Sequence, residues 1–144
     1  MQKHRIALST VLLVLGLGIL TPQFAQDTAI KHQKPDPDRT FQILGLVRTI
    51  NTAEVADFSA YGSFESWQTL LAHQSEYFNR WLAHFYPQEI RFGDPPEILP
   101  GLNLRLNVHA DGKGFDILLE DTTTKGYAVQ SDERGVIREC WPPQ

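Results

Sequence analysis

The stretch Leu102-Asn-Leu-Arg-Leu-Asn-Val108 decides the fold class, because its apolar and polar residues alternate without interruption. A period of two predicts a β-strand with one buried face. Three further strands are expected downstream, at residues 115–120, 127–131 and 136–140, and turn signals such as Asp111-Gly112 separate them. Short strands joined by tight turns predict a four-stranded antiparallel meander.

Upstream of this strand the apolar residues follow a helical period instead. Residues 64–85 carry the strongest helical periodicity of the chain and predict one amphipathic helix. Its apolar stripe is expected to pack in the core. The stripe consists of Phe64, Trp67, Leu71, Phe78, Leu82 and Phe85, and Leu70 and Trp81 lie at its edge. The intervening segment 86–101 contains four prolines and is expected to be largely irregular loop.

An earlier helix is expected to begin near Arg39, with Asp38 as its N-cap, and to end at Gly62. Its inward face is predicted to hold Ile43, Leu46, Val47, Ile50, Phe58 and Tyr61. Glu54 falls on the same face, and a buried carboxylate is costly unless it is paired or hydrogen-bonded. Arg105 or Arg138 of the sheet is therefore expected to pair with Glu54. Together these elements predict an α+β fold, with two helices packed on the sheet.

The first 25 residues have the pattern of a secretory signal peptide. Lys3 and Arg5 precede an apolar run, and Ala25 offers a small residue at the expected cleavage point. The run is shorter than the roughly 20 residues that span a bilayer core, although an uncleaved membrane anchor is the alternative. A lipoprotein is excluded because no cysteine follows the run. The chain thus divides into a signal peptide (1–25), a polar linker (26–38) and one domain (39–144), which is periplasmic or secreted.

Charge and cysteine content narrow the possible partners. The chain has a net charge of −4, and the leader holds two of the basic residues, so the exported part is more acidic. This balance argues against nucleic acid or an anionic membrane surface as a partner. Cys140 is the one cysteine, which excludes an intrachain disulfide and favours a buried thiol over an interchain bridge.

Two segments resemble parts of type IV pilin and pseudopilin heads. Arg48-Thr-Ile-Asn-Thr-Ala-Glu54, Tyr61-Gly62 and the following Trp67 and Leu70-Leu71 resemble the region linking stem to head. Gly126-Tyr-Ala-Val-Gln-Ser-Asp-Glu-Arg-Gly-Val-Ile-Arg138 resembles the last hairpin of such heads. The resemblance implies a helix across an antiparallel sheet and a role in a type IV pilus or type II secretion machine.

The chain departs from that family where filament assembly is concerned. The family's mature chain begins with Phe-Thr-Leu-Ile-Glu, and a continuous apolar stem follows. Here the apolar run is followed by Thr21-Pro22, and Pro35 and Pro37 would interrupt a stem. The sequence therefore resembles a pilin head exported without its filament-forming helix.

The titratable residues form no recognisable catalytic, cofactor or metal motif, so no site residue and no cofactor is predicted. His73, His84 and His109 show no metal-ligand spacing, and Cys140 has no adjacent base. A calcium-binding cluster at one end of the sheet is the alternative, formed either by Asp111 with Gly112 and Gly114 or by Asp116, Glu120 and Asp121. These residues lack EF-hand spacing, which favours solvated turn charges.

The expected function is a non-enzymatic interaction module of the cell envelope, bound to envelope or secretion-machinery proteins or free-standing in the periplasm. The alternative from another class is a small periplasmic ligand carrier whose pocket is lined by Trp67, Phe78, Trp81 and Phe85. An unrecognised hydrolase ranks last. A closed aromatic cavity would favour the carrier, and an open apolar surface would favour the interaction module.

We predict that signal peptidase removes the leader. Intact-mass measurement and N-terminal sequencing of the exported protein should place the mature N-terminus at or near Gln26. Recovery of the chain in the membrane fraction with residues 1–25 attached would instead identify an anchored protein.

Overall fold

The structure is a computed structural model that describes residues 35–140. The predicted signal peptide and most of the predicted linker lie outside the described residues. Three helices precede five strands: α1 (Pro37–Tyr61), α2 (Trp67–His73), α3 (Ser75–Phe85), β1 (Glu97–Leu99), β2 (Leu102–Val108), β3 (Phe115–Asp121), β4 (Tyr127–Asp132) and β5 (Arg138–Cys140). The predicted α+β class with an antiparallel sheet is confirmed. No helix among the described residues is both long and apolar enough to cross a membrane.

Helix α1 begins two residues earlier than predicted. Asp36, not Asp38, is the N-cap, and its side chain accepts a hydrogen bond from the Arg39 backbone amide at 2.8 Å. Pro37 follows at the first helical position, where its missing amide hydrogen costs nothing. The helix ends as predicted at Gly62, whose φ of 79° places it in the left-handed region.

The predicted single helix over residues 64–85 is wrong, because the chain leaves helical geometry at Gln74 and forms α2 and α3. Ser66 caps α2 through its hydroxyl, and Gln74 has φ −111° and ψ 30°. The side chain of Gln74 donates a hydrogen bond to Asp57 of α1. Apolar residues recur at helical spacing on both sides of this one-residue break, so the pattern could not reveal it.

The sheet has five strands, not four, and the extra strand lies in the segment predicted to be loop. The strand order is β1-β2-β3-β4-β5, and all neighbours are antiparallel. Leu99 pairs with Leu102 across Pro100-Gly101, and Gly101 has φ 78°. Proline followed by a left-handed glycine is the signature of a type II turn, so this hairpin was marked in the sequence.

One face of the sheet packs against the helices and forms the core. α1 lies across β3 and β4 and buries Ile43, Leu46, Val47 and Ile50 as predicted. Phe58 and Tyr61 were expected inside but are 37% and 60% exposed. Phe58 stacks on Phe64, and Tyr61 contacts His73, so the last turn of α1 packs on the α1–α2 connection and α2.

The two short helices also bury a different set of side chains from the one predicted. Leu70 and Trp81, expected at the edge of the stripe, are buried, whereas Leu71 and Phe85 are half-buried. Because α2 and α3 are separate helices, each turns its own face toward the core. A single helical wheel over residues 64–85 therefore assigned these four residues to the wrong positions.

A buried ion pair fastens the first turn of α1 to the sheet. Arg39 donates to Asp121 Oδ1 and to the carbonyl of Gly101, both at 3.1 Å. Burial raises the pKa of Asp121, but hydrogen bonds from Arg39 and Thr123 outweigh it and hold the pKa below its usual value. Asp121 thus joins α1, the β1–β2 turn and the loop after β3.

We predict that two valines of α1 differ sharply in their contribution to stability. Val47 is fully buried against the core, whereas Val55 is 52% exposed. Val47→Ala should lower the free energy of unfolding by about 2 kcal/mol, because it removes buried methyl groups and leaves a cavity. Val55→Ala, the matched control on the same helix, should change it by less than about 0.5 kcal/mol. Urea titrations of both variants measure this, and equal losses would show that α1 is oriented differently.

Candidate functional site

The helix layer carries an open groove between α1 and α3. The two helices run in opposite directions, since Phe85 at the end of α3 lies against Phe41 and Gly45 near the start of α1. The groove has a volume of about 500 Å³ and is lined by Arg48, Thr49, Thr52, Tyr77, Arg80, Trp81, His84 and Phe85. We refer to these eight residues as the α1–α3 groove.

Gly45 sets how closely the two helices approach. A Cβ atom at this position would lie 3.3 Å from Trp81 Nε1 and 3.6 Å from an edge carbon of Phe85. That first distance is tighter than ordinary van der Waals contact, so the indole can pack here because residue 45 has no side chain. Because α1 and α3 approach closely here, Trp81 is only 6% exposed and belongs to the core, yet its ring still forms part of the groove floor.

The floor of the groove is apolar, and its rim is basic. Trp81 and Phe85 form the floor, with ring centroids 5.0 Å apart. On α1, the Thr49 and Thr52 hydroxyls donate to helix carbonyls four residues earlier, so they satisfy their donors within α1. Arg48 is exposed, and its side chain forms no hydrogen bond or ion pair within residues 35–140. Arg80, across the groove, pairs with Glu76 at 2.6 Å on the surface of α3.

A second hollow continues the groove toward the start of α1. It has a volume of about 610 Å³ and shares His84 and Phe85 with the groove; its other lining residues are Asp36, Asp38, Arg39, Phe41 and Gln42. Phe41 is 58% exposed, and the side chain of Asp38 forms no hydrogen bond or ion pair in the described part of the chain. The combined surface is therefore acidic at the start of α1, apolar in the middle and basic near Arg48.

Beyond the other end of the groove, two carboxylates of α1 are fully buried. Asp57 accepts a hydrogen bond from Gln74, and its Oδ2 lies 2.9 Å from His73 Nδ1. These contacts satisfy Asp57 and fix the junction between α2 and α3. The arrangement resembles a structural anchor, because both partners come from the helix break itself.

Glu54, one turn earlier, is buried with less compensation. Its Oε2 accepts a hydrogen bond from the Glu65 backbone amide at 3.1 Å, while Oε1 has no partner among the described residues. Burial is the main cause that raises the pKa of Glu54 to about 7, and the nearby carboxylates Asp57 and Glu65 add to it. The predicted burial of Glu54 is confirmed and is complete. Its expected partner was wrong, since Arg105 pairs with Glu120 and the donor to Glu54 is a backbone amide.

The acidic residues considered for calcium do not converge. Asp116 pairs with His109, Glu120 with Arg105, and Asp121 with Arg39 on the opposite face of the sheet. Asp111 accepts from the Lys113 amide within the turn. Among the described residues, no group of three or more His, Cys, Asp or Glu side chains could hold a metal ion.

The four aromatic residues of the carrier hypothesis divide between core and groove. Trp67 and Phe78 pack edge-to-face with each other and with Phe92, and the indole of Trp67 donates to the Gly93 carbonyl. Trp81 and Phe85 line the groove instead. The four side chains therefore do not enclose one pocket.

Several groove residues were given no functional role from the sequence. Arg48, Tyr77, Arg80 and His84 belonged to no predicted site, and the structure places Arg80 and His84 on the exposed side of α3. A signal was present: Tyr77, Arg80 or Trp81, and His84 recur at helical spacing beside the buried stripe. Which helix packs beside this second stripe is a tertiary property that periodicity does not contain.

Comparison with known proteins identifies no relative: no protein-family model, no curated protein and no solved structure matches the chain significantly.

We predict that Glu54 makes stability depend on pH. Its folded pKa of about 7 lies above the ordinary value of 4.5, so the folded state retains a proton that the unfolded chain loses. Stability should therefore fall as pH rises from about 4.5 to about 7 and level off above that, by roughly 3 kcal/mol at most. Urea titrations from pH 4.5 to 8 should show this slope in the wild type and a reduced slope in Glu54→Gln. The exposed Glu89→Gln is the control and should keep the wild-type slope. A wild-type slope in Glu54→Gln would contradict the assignment.

Proposed function

We propose that this protein is an exported, non-enzymatic interaction module of the cell envelope that binds a protein segment in the α1–α3 groove. The observation that carries the proposal is the open groove with an aromatic floor and an unpaired arginine at its rim. Exposed apolar surface of this kind, bordered by polar residues, is typical of protein-binding sites. Arginine and large aromatic residues are also the side chains most enriched at binding hot spots.

The shape of the groove favours a macromolecular partner over a small ligand. Small-molecule sites enclose most of their ligand's surface, usually in a concave pocket. The α1–α3 groove instead runs along two helices and continues past Phe85 into the hollow beside Asp38. An elongated open surface fits a chain segment, such as a helix laid along the groove. The alternative function is that of a free-standing carrier of small ligands, and the experiment below distinguishes it from a protein-binding module.

The order of elements supports a pilin-like or pseudopilin-like head, as the sequence resemblance implies. A long N-terminal helix lies on an antiparallel meander, and the segment of residues 126–138 spans β4, a turn and the start of β5. In this proposal the module serves a secretion or pilus-related machine, or acts on its own in the periplasm.

Site-specific photocrosslinking in the native cells tests the proposal. A photoreactive phenylalanine analogue at Tyr77 lies in the groove, whereas the same analogue at Gln130 lies on the opposite, polar face of the sheet. We expect a discrete protein adduct from Tyr77 and none from Gln130. The adduct should diminish when Arg48 is changed to Glu. Equal labelling from both faces, or adducts of small-molecule mass, would contradict a protein-binding groove.

A further inference from the structure

We propose that the occupant of the groove is a second copy of this chain, with α1 packed antiparallel to α1 about a twofold axis. This inference rests on the proposed function, because it names the partner of the same surface. It follows from the distribution of charge and apolar side chains along one stripe of α1.

The stripe consists of residues that recur every three or four positions and so share one face of the helix. From its start it reads Asp38, Phe41, Gly45, Arg48 and Thr52. Arg48 and Thr52 line the α1–α3 groove, Asp38 and Phe41 line the second hollow, and between them Gly45 lies under Trp81 and Phe85 of α3. Apart from Gly45, the stripe is therefore an external surface of the helix layer, with an acid at one end and a base at the other.

This charge order is self-complementary in one register. Antiparallel pairing that sets Asp38 opposite Arg48 of the second copy also sets Phe41 opposite Gly45, because residue numbers in an antiparallel pair have a constant sum. A twofold axis makes every such contact twice. Two ion pairs would then flank two Phe41 side chains, each meeting the facing copy at the Trp81 and Phe85 rings that cover Gly45 and form the groove floor.

The two charged side chains lack partners within the described domain, and the aromatic one is only partly covered. The side chains of Asp38 and Arg48 form no ion pair or hydrogen bond within residues 35–140, and Phe41, which touches Phe85 on one side, is 58% exposed. Pairing two copies would satisfy both charges and remove the phenylalanine from water. An unrelated acidic partner would use Arg48 but would be repelled by Asp36 and Asp38 at the other end, and this favours the second copy.

The expected dimer is reversible, since its centre is one helix pair and exposed ion pairs contribute little individually. Analytical ultracentrifugation of the exported protein, at about 1–300 µM, should show a concentration-dependent monomer–dimer equilibrium. Raising sodium chloride from about 50 to 500 mM should weaken it, because screening acts on exposed charges.

Charge reversal tests the register. Arg48→Glu and Asp38→Lys should each raise the dimer dissociation constant by about tenfold or more, because each places like charges opposite one another. The double variant Arg48→Glu/Asp38→Lys should restore it to within about threefold of the wild type, since both pairs are re-formed with reversed sign. Lys125→Glu and Glu133→Lys, on exposed loops outside the groove, are the matched controls and should leave it unchanged. Circular dichroism melts establish that each variant folds.

A chain that stays monomeric at 300 µM would overturn the inference, and so would a dimer that is insensitive to both single reversals. If a reversal variant fails to fold, Phe41→Ala and the salt series on the wild type decide the question. A dimer that is weakened by neither Phe41→Ala nor added salt would overturn the inference. A monomer that still crosslinks another protein through Tyr77 would leave the proposed function intact while removing the second copy as its partner.

Discussion

The ion pair between Arg39 and Asp121 connects the first turn of α1 to the far end of the sheet, and the placement of both layers depends on it. Hydrogen bonds offset part of the desolvation of its charges, although Arg39 Nε and Asp121 Oδ2 are buried without a partner among the described residues. Arg39 also holds the Gly101 carbonyl, and Asp121 also accepts from the Thr123 amide and hydroxyl. The Arg39–Asp121 pair therefore connects the start of α1, the β1–β2 turn and the loop leading to β4. With that end fixed, the apolar face of α1 lies across β3 and β4, and its outer stripe faces α3 and solvent.

The strands were predictable from the sequence because alternation depends only on neighbouring residues. β2 was predicted at its observed bounds, and β3 and β4 to within a residue or so. β1 was missed because prolines were read as excluding a strand, although Pro100-Gly101 marks its turn. The break at Gln74 could not be predicted, since it depends on Asp57, which lies 17 residues earlier in the chain. Elements that depend on local periodicity were therefore predictable from the sequence, whereas polar contacts between distant residues were not.

The candidate site shows the same difference between features that depend on local sequence and features that depend on tertiary contacts. The aromatic residues of α3 were recognised, but they were treated as one stripe, whereas the structure divides them between the core and the groove. Burial of Glu54 followed correctly from its place on the helix, because burial depends on the helix face. Its partner did not follow, because the Glu65 amide belongs to the irregular α1–α2 connection. The groove itself requires knowing that α3 returns along α1, and Gly45 becomes meaningful only then.

The hydrogen bonds that Asp57 makes with His73 and Gln74 have a consequence for the groove, although none of the three residues lines it. They fix the angle at which α3 leaves α2, and α3 supplies five of the eight residues that line the groove. The width of the surface is thus controlled from inside the protein, by a carboxylate that no partner can reach. Evolution of this chain could therefore retune binding through interior residues while the exposed lining stays the same, so a comparison of surface residues alone would overlook such a change.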